Sequence, residues 1–318
     1  MSIPDNEPPP WERQLLEQIA FAALHEQRAK RRWGIFFKLA GLTYLIAVLV
    51  LVVDWGGSEQ LADGRHTAVI HLHGTIEAQG EASAQNVNDA LEAAFADKGT
   101  AGVILRVNSP GGSPVQAGIV HDEIRRLRTK HPQIPLYAVV EDLCASGGYY
   151  VAVAADKIFV DKASIVGSIG VLMDGFGFTG TMDKLGVERR LLTAGENKGF
   201  LDPFSPQDAK QKEHARVLLR EIHKQFIEVV RRGRGTRLKE TPEMFSGLMW
   251  TGNQSISLGL ADGLGTVGSV ARDVIKAERI VEFTIKENIA ERFAKRLRAD
   301  AAQGMAGTLL GFGQTLFH

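Results

Sequence analysis

The chain has 318 residues, and its 37 basic side chains balance 37 acidic ones, so no excess charge draws it to a polyanion and nucleic acid is not an expected partner. A single cysteine, Cys144, excludes an internal disulfide, and the length is ample for a core that stands without one.

Residues 1–10, with "EPPP", read as an unstructured start. From Trp11 to Arg32, apolar residues recur at 11, 15, 16, 19, 20, 23 and 24, the spacing of an amphipathic helix. Together with Trp33 and Gly34 these make a segment 1–34. From Ile35 to Val53, "IFFKLAGLTYLIAVLVLVV" has one charge, Lys38. At about 1.5 Å per residue it reaches roughly 28 Å, the hydrocarbon thickness of a bilayer. Lys38 lies near its N-terminal end, where a long stem carries the ammonium back to the headgroups. A cleaved signal peptide fits poorly, because the apolar run is too long and "VVDWGG" is no small-x-small cleavage site. Arg28, Lys30, Arg31 and Arg32 crowd one flank, and Asp54, Glu59 and Asp63 follow the other. The positive-inside rule then keeps the N-terminus in the cytoplasm and sends everything after Val53 outward. The expectation is a single-pass anchor in the inner membrane, with the remainder on its outer, periplasmic face.

A polar linker, 54–66, leads into alternating strands and helices. Strands are expected over 67–76, 101–109, 135–142 and 157–164, and helices over 83–97, 115–130 and from Gly147 onward. Strands separated by helices imply βαβ crossovers and a largely parallel α/β sheet. Residues 205–235 read as a long amphipathic helix, with Leu218, Ile222 and Phe226 on one stripe and an Arg231–Arg237 charge cluster as a solvated end. His71 and His73 share one face of the first strand, but without a third ligand at a recognisable spacing they define no metal site.

Two glycine-rich turns follow predicted strands: "NSPGGSP", Asn108–Pro114, and "CASGGYY", Cys144–Tyr150. In a parallel sheet such turns emerge where ligands bind, and glycines let backbone N–H groups approach a carbonyl oxygen. Taken singly, each turn reads as tight strand-to-helix packing. Ser146 stands at the start of the third helix with small neighbours, as a nucleophile would. Cys144 reads as a small buried hydrophobe. No histidine lies between His131 and His214, so a triad would recruit His121, His214 or another distant one. Lysine is the other base open to a serine. In "TAGENKGFLDPF", Lys198 is followed by Phe200, Leu201 and Pro203. Such a lysine is either an exposed loop residue or one enclosed by apolar groups. Neutrality near pH 7 requires desolvation to lower its pKa by about 3 units, roughly 4 kcal/mol.

"NSPGGSP", "CASGGYYVAVAADKIFVDKASIVGSIGV", "AGENKGFLDPF" and "FSGLMWTGNQSISLGLADGLG", in that order, resemble the bacterial signal peptide peptidase A family. Its members are membrane-anchored serine proteases with a Ser/Lys dyad on a ClpP/crotonase-like fold. The likeness covers about 67–275, leaving 276–318 as a C-terminal tail in which Ile289, Phe293 and Leu297 suit a membrane or a neighbouring subunit. It implies Ser146 as nucleophile, Lys198 as general base and Ser168 as the serine that holds the lysine amine. It also implies an oxyanion hole from Gly112 and Gly147, with Gly111 as the neighbouring donor. No cofactor or metal is implied. The length matches the half-length form, whose sites are completed by neighbouring protomers. Apolar peptides, among them signal peptides left in the membrane, are the implied substrates. A crotonase-like acyl-CoA enzyme and an inactive membrane scaffold are the competing classes; covalent labelling of Ser146 by a fluorophosphonate would argue against the first, and digestion of casein would argue against the second. The charge flanks carry their own test. A reporter that works only outside the cytoplasm, fused after His318, is expected to be active, and activity only from a cytoplasmic reporter there reverses the orientation.

Overall fold

A computed structural model describes residues 30–48 and 64–284. The chain divides into two compact units, residues 1–60 with 288–318 and residues 61–287. Of the first unit, residues 30–48 form one helix, α1, exposed along its whole length. Near its start the Trp33 ring meets those of Phe36 and Phe37, each at 5.7 Å between centroids. Among the described residues no helix is long and apolar enough to cross a membrane. The expected span 35–53 continues past α1, and residues 49–53 lie outside the described ones, as do residues 1–29 and the amphipathic stripe of the tail.

The second unit is built on one sheet. Its strands are β1 (His66–His73), β2 (Thr100–Ser109), β3 (Leu136–Ala145), β4 (Lys157–Val160), β5 (Ile165–Gly167), β6 (Met249–Thr251), β7 (Gly263–Leu264) and β8 (Ile280–Glu282). They run in the order β6-β5-β3-β2-β1-β8, with β4 between β3 and β7. Every pairing is parallel except β5 with β6. This is the largely parallel α/β architecture expected, consistent with a ClpP/crotonase-like fold.

Two crossovers make the frame. Helix α2 (Ala84–Ala96) joins β1 to β2, and α3 (Pro114–Lys130) joins β2 to β3. Both begin where a serine accepts a backbone N–H, Ser83 from Asn86 and Ser113 from Gln116, and Pro114 fits the first turn because its missing N–H is not needed there. The strand interiors are apolar on both faces, as parallel strands covered on both sides must be. Ile70, Leu72, Val103, Leu105, Leu136 and Ala138 pack with Val87, Leu91, Val120 and Ile124 of the two helices. Val69, Ile104 and Val139 face the other way, onto a π-helical turn Val270–Ile275.

Three stretches differ most from expectation, besides β1 and β4, which stop at His73 and Val160, short of the expected 76 and 164. β3 runs three residues beyond 142, up to Ala145, because its last part finds a second partner: Tyr137–Val139 pair with β4, whereas Leu143–Ala145 pair with β5. β8 lies in the stretch read as a tail, where it lengthens the sheet beside β1. The third is the charge cluster. Helix α6 (Ala209–Arg234), which follows the short α5 (Thr179–Leu185), does end in arginines, but Arg234 is fully buried rather than solvated. Its guanidinium donates to both oxygens of Asp262, at 2.8 and 3.0 Å, and to the Gly259 carbonyl at 2.8 Å. A planar fork that grips a carboxylate at two points tolerates burial that a lone charge would not.

Burial pushes the Asp262 carboxyl up, but hydrogen bonds from Arg234 and from the Ile158 N–H outweigh it and hold the group below its usual value. A carboxyl depressed in the folded state stabilises the fold fully above the ordinary aspartate range, near pH 4, and loses that contribution as pH falls below it. Asp262→Asn is therefore expected to destabilise the protein by about 3–5 kcal/mol at pH 7 and to flatten the acid limb of its stability curve. Urea melts at pH 7 and below pH 4 measure both effects, and an unchanged acid limb would show that the pair contributes nothing there.

Candidate active site

The site begins where β3 runs out. Ser146 follows Ala145 with φ 52° and ψ −121°, a backbone conformation that a side chain makes costly, and it caps a short helix α4 (Gly147–Ala152). It is held there from two sides: its N–H donates to the Gly167 carbonyl at 2.9 Å, and its carbonyl accepts from Tyr150 N–H at 2.9 Å. The β3–β5 register sets Ala145 opposite Gly167, so Ser168 emerges beside Ser146 from the adjoining strand, with the same φ of 52°. The Ser168 N–H donates to the Leu248 carbonyl at 2.7 Å, which ties it to the segment entering β6.

The glycine turn after β2 meets this point. Ile76 and Gly112 form a parallel bridge: Ile76 N–H donates to the Gly111 carbonyl, and Ser113 N–H donates to the Ile76 carbonyl, both at 2.8 Å. Gly112's own N–H therefore points away from Ile76. A Cβ placed on Gly147 would lie 3.3 Å from the Gly112 nitrogen, so the two residues are neighbours in space. The Gly147 N–H, first in α4, has no acceptor within its helix. Glycine is required in the turn. A Cβ on Gly111 would lie 2.7 Å from both the Gly147 nitrogen and the Ser146 Cβ, and one on Gly112 would lie 2.2 Å from the Ile76 oxygen. The choice between neighbouring donors also acquires a geometric basis: the Gly111 N–H is already engaged by the Ser109 hydroxyl at 3.2 Å.

Ser146, Ser168, Gly112 and Gly147 line one cavity of about 560 Å³. Its remaining walls mix apolar side chains, Ala117 of α3, Tyr150 of α4, Val171, and Ile222 and Phe226 of α6, with the polar Gln225 and Ser246. The α6 stripe was legible as amphipathic, but nothing local says that part of it closes a cavity beside Ser146.

Lys198 is placed elsewhere. It lies in a turn, its N–H donating to the Gly195 carbonyl at 3.1 Å; its side chain is exposed and does not line the cavity. The segment around it, 171–204, carries Leu172, Phe176 and Leu192 at 78%, 80% and 97% exposure. Neither His121 nor His214 takes its place, and His223 of α6 has its Nε2 3.1 Å from the carbonyl of Ile169, the residue after Ser168. His121 is fixed by Asp122 at 2.9 Å and packs edge-on against Tyr150, and burial, partly offset by Asp122, lowers its pKa. His214 is exposed against the Phe200 ring, and neither histidine lines the cavity. His71 is engaged by Glu282 at 3.0 Å on the far side of β1 from β2, and no cluster of metal-ligating side chains occurs among the described residues.

Cys144 faces the core with no exposure, and burial pushes its thiol up, away from the thiolate. A maleimide is therefore expected to leave the native protein unmodified at pH 8 and to react only after unfolding in guanidinium. Rapid stoichiometric labelling of the native form, read by mass spectrometry, would count against this placement.

Comparison with known proteins bears on the same region. The model of peptidase family S49 matches residues 128–280. A protein of Enterococcus faecium that bears the name signal peptide peptidase SppA is 30% identical over 240 residues, 72% of this chain and 68% of that protein. Protease 4 of Haemophilus influenzae is 30% identical over 219 residues, 67% of this chain and 34% of its own length. A Brucella abortus protein named Na(+)/H(+) antiporter NhaA is 46% identical over 209 residues, 64% of this chain. The match takes in only 28% of that protein, so the antiporter name describes a molecule that lies mostly outside the shared part.

Proposed function

Because the chain is an SppA-type member of peptidase family S49, we propose that it is a membrane-anchored serine endopeptidase in which Ser146 attacks the peptide carbonyl and Lys198 of a neighbouring protomer takes the serine proton. The observation that carries this reading is the meeting of Ser146, at its strained φ, with the N–H groups of Gly112 and Gly147 at the mouth of a partly apolar cavity. As the Ser146 oxygen bonds to the carbonyl carbon, the carbonyl π-bond opens and negative charge gathers on its oxygen. Two backbone N–H groups aimed at that charge lower the barrier, by about 3–4 kcal/mol for each donor in comparable sites. Collapse breaks the C–N bond, the lysine ammonium returns its proton to the leaving amine, and water then releases the acyl group from Ser146 with the same lysine as base.

Ser168 suits a role in orienting the lysine, since it emerges beside Ser146 at the same cavity. The apolar part of the cavity wall suits apolar peptides, including signal peptides left in the membrane, and residues 35–53 would anchor the enzyme with its catalytic domain on the periplasmic face. The position of Lys198 supports shared sites. An exposed lysine away from the cavity, in a segment rich in exposed apolar side chains, is what a homo-oligomer needs if each protomer completes its neighbour's dyad. A heterologous interface closing into a ring gives that arrangement, and burial on assembly would desolvate the amine.

Co-assembly tests the nucleophile, the base and the sharing together. Ser146→Ala and Lys198→Ala are each expected to abolish peptide cleavage with the fold intact, because members of one catalytic unit fail together. Mixed oligomers of the two inactive proteins are expected to regain part of the activity, since some interfaces then pair an intact serine with an intact lysine. Verified mixed oligomers that stay inactive would rule out sharing. Full cleavage by Lys198→Ala would overturn the base assignment and return attention to the histidines.

A further inference from the structure

We infer that Ser109 is a positioning residue for catalysis: its buried hydroxyl anchors the Pro110–Gly111 peptide, on the near side of the Gly111 Cα, and so steadies the next peptide, which aims the Gly112 N–H at the substrate carbonyl oxygen. Ser109 ends β2 and has no exposure to solvent. Its hydroxyl donates to the Gly74 carbonyl at 2.6 Å, which leaves a lone pair to accept the Gly111 N–H at 3.2 Å. The other side of Gly111 is held as well, its carbonyl accepting from Ile76 N–H at 2.8 Å.

The consequence is geometric. In a trans peptide the carbonyl of one residue and the N–H of the next point in opposite directions. Fixing the Gly111 carbonyl on Ile76 therefore turns the Gly112 N–H the other way, toward Gly147. Gly111 has φ 101° and no Cβ to restrict rotation about its own bonds. Its conformation is set by two anchors, one on each side of its Cα, and Ser109 supplies one of them. The same serine sits against the start of α4: a Cβ on Gly148 would lie 3.2 Å from the Ser109 Cβ and 3.1 Å from its carbonyl oxygen. One buried residue thus touches both elements that offer an N–H to the site.

This inference rests on reading Gly112 and Gly147 as the donors to the carbonyl oxygen, and the test separates the two. The probes are a fluorogenic apolar peptide cut after leucine and the matching peptide aldehyde. Ser146 adds to the aldehyde carbon to form a hemiacetal: an O–C bond forms, the C=O π-bond opens, and the serine proton ends on the former carbonyl oxygen. The full-length protein is used, with active sites counted by fluorophosphonate labelling taken to completion. Ser109→Ala is expected to lower kcat about tenfold to a hundredfold, below the loss from deleting a donor outright. KM should stay within about twofold, the aldehyde should bind weaker by the same factor as kcat falls, and the pH profile should not move. A purely structural role would instead reduce the number of titratable sites and leave kcat per site intact. Unchanged kcat per site, or a loss confined to KM with aldehyde affinity preserved, overturns the assignment to Ser109. If Ser109→Ala does not fold, Ser109→Cys keeps a weaker hydrogen-bonding group of similar shape, and it is expected to lose kcat and aldehyde affinity in parallel. Unchanged values there overturn the inference equally. Full cleavage by Ser146→Ala in the same assay means instead that the reading beneath it has failed.

Discussion

The site depends on one strand pairing. β3 is long enough to serve two neighbours, and its last three residues bind β5 in a register that sets Ala145 against Gly167. That register brings Ser146 and Ser168 out side by side at the same strained φ. It also supplies the Gly167 carbonyl that fixes the Ser146 N–H. A slip of one residue would turn one serine away from the other, because side chains in a strand alternate between faces. The strain at two non-glycine residues persists because hydrogen bonds from separate elements hold each backbone where it is.

The polar chemistry around that pairing is mostly backbone. Two N–H groups, the carbonyls of Gly167 and Leu248, and the Ile76–Gly112 bridge do the positioning, while the cavity walls mix apolar side chains with a few polar ones. Backbone donors cannot change rotamer, so their aim is set by the fold once the turn is fixed. The side chain that does not fit this scheme is Lys198, which stands outside the cavity in an apolar, exposed segment. If the dyad is shared between protomers, as proposed, completing the site falls to assembly rather than to folding of one chain.

Much of this was legible from spacing alone. The first two crossovers follow from period, and α2 and α3 match the expected helices within a residue at each end. β5 escaped because three residues hold too little pattern, and its identity comes from a partner strand rather than from its own composition. Arg234 was misread for a related reason: a run of arginines at a helix end looks solvated until Asp262 returns to it from a distant turn. Gly111 and Gly112 were indistinguishable as donors in sequence. Only the bridge to Ile76 and the engagement of one N–H by Ser109 tell them apart. Lys198 came from resemblance, not from any periodicity, and no element of the single chain brings it to Ser146.

The fork in β3 also orders events in time. Its first half closes against β2 and β4, near neighbours in sequence, within the large apolar core. Its last three residues rely on β5, and β5 in turn is braced by β6, from which the whole of α6 separates it. Contacts that must close a long loop form after local ones, since the loop entropy is lost before the contact compensates for it. The frame can therefore assemble while the ends of β3 and β5 are still unbraced. In that interval the chain has a core but no aligned pair of serines. The two serines come into line only once the distal half of the chain has come home.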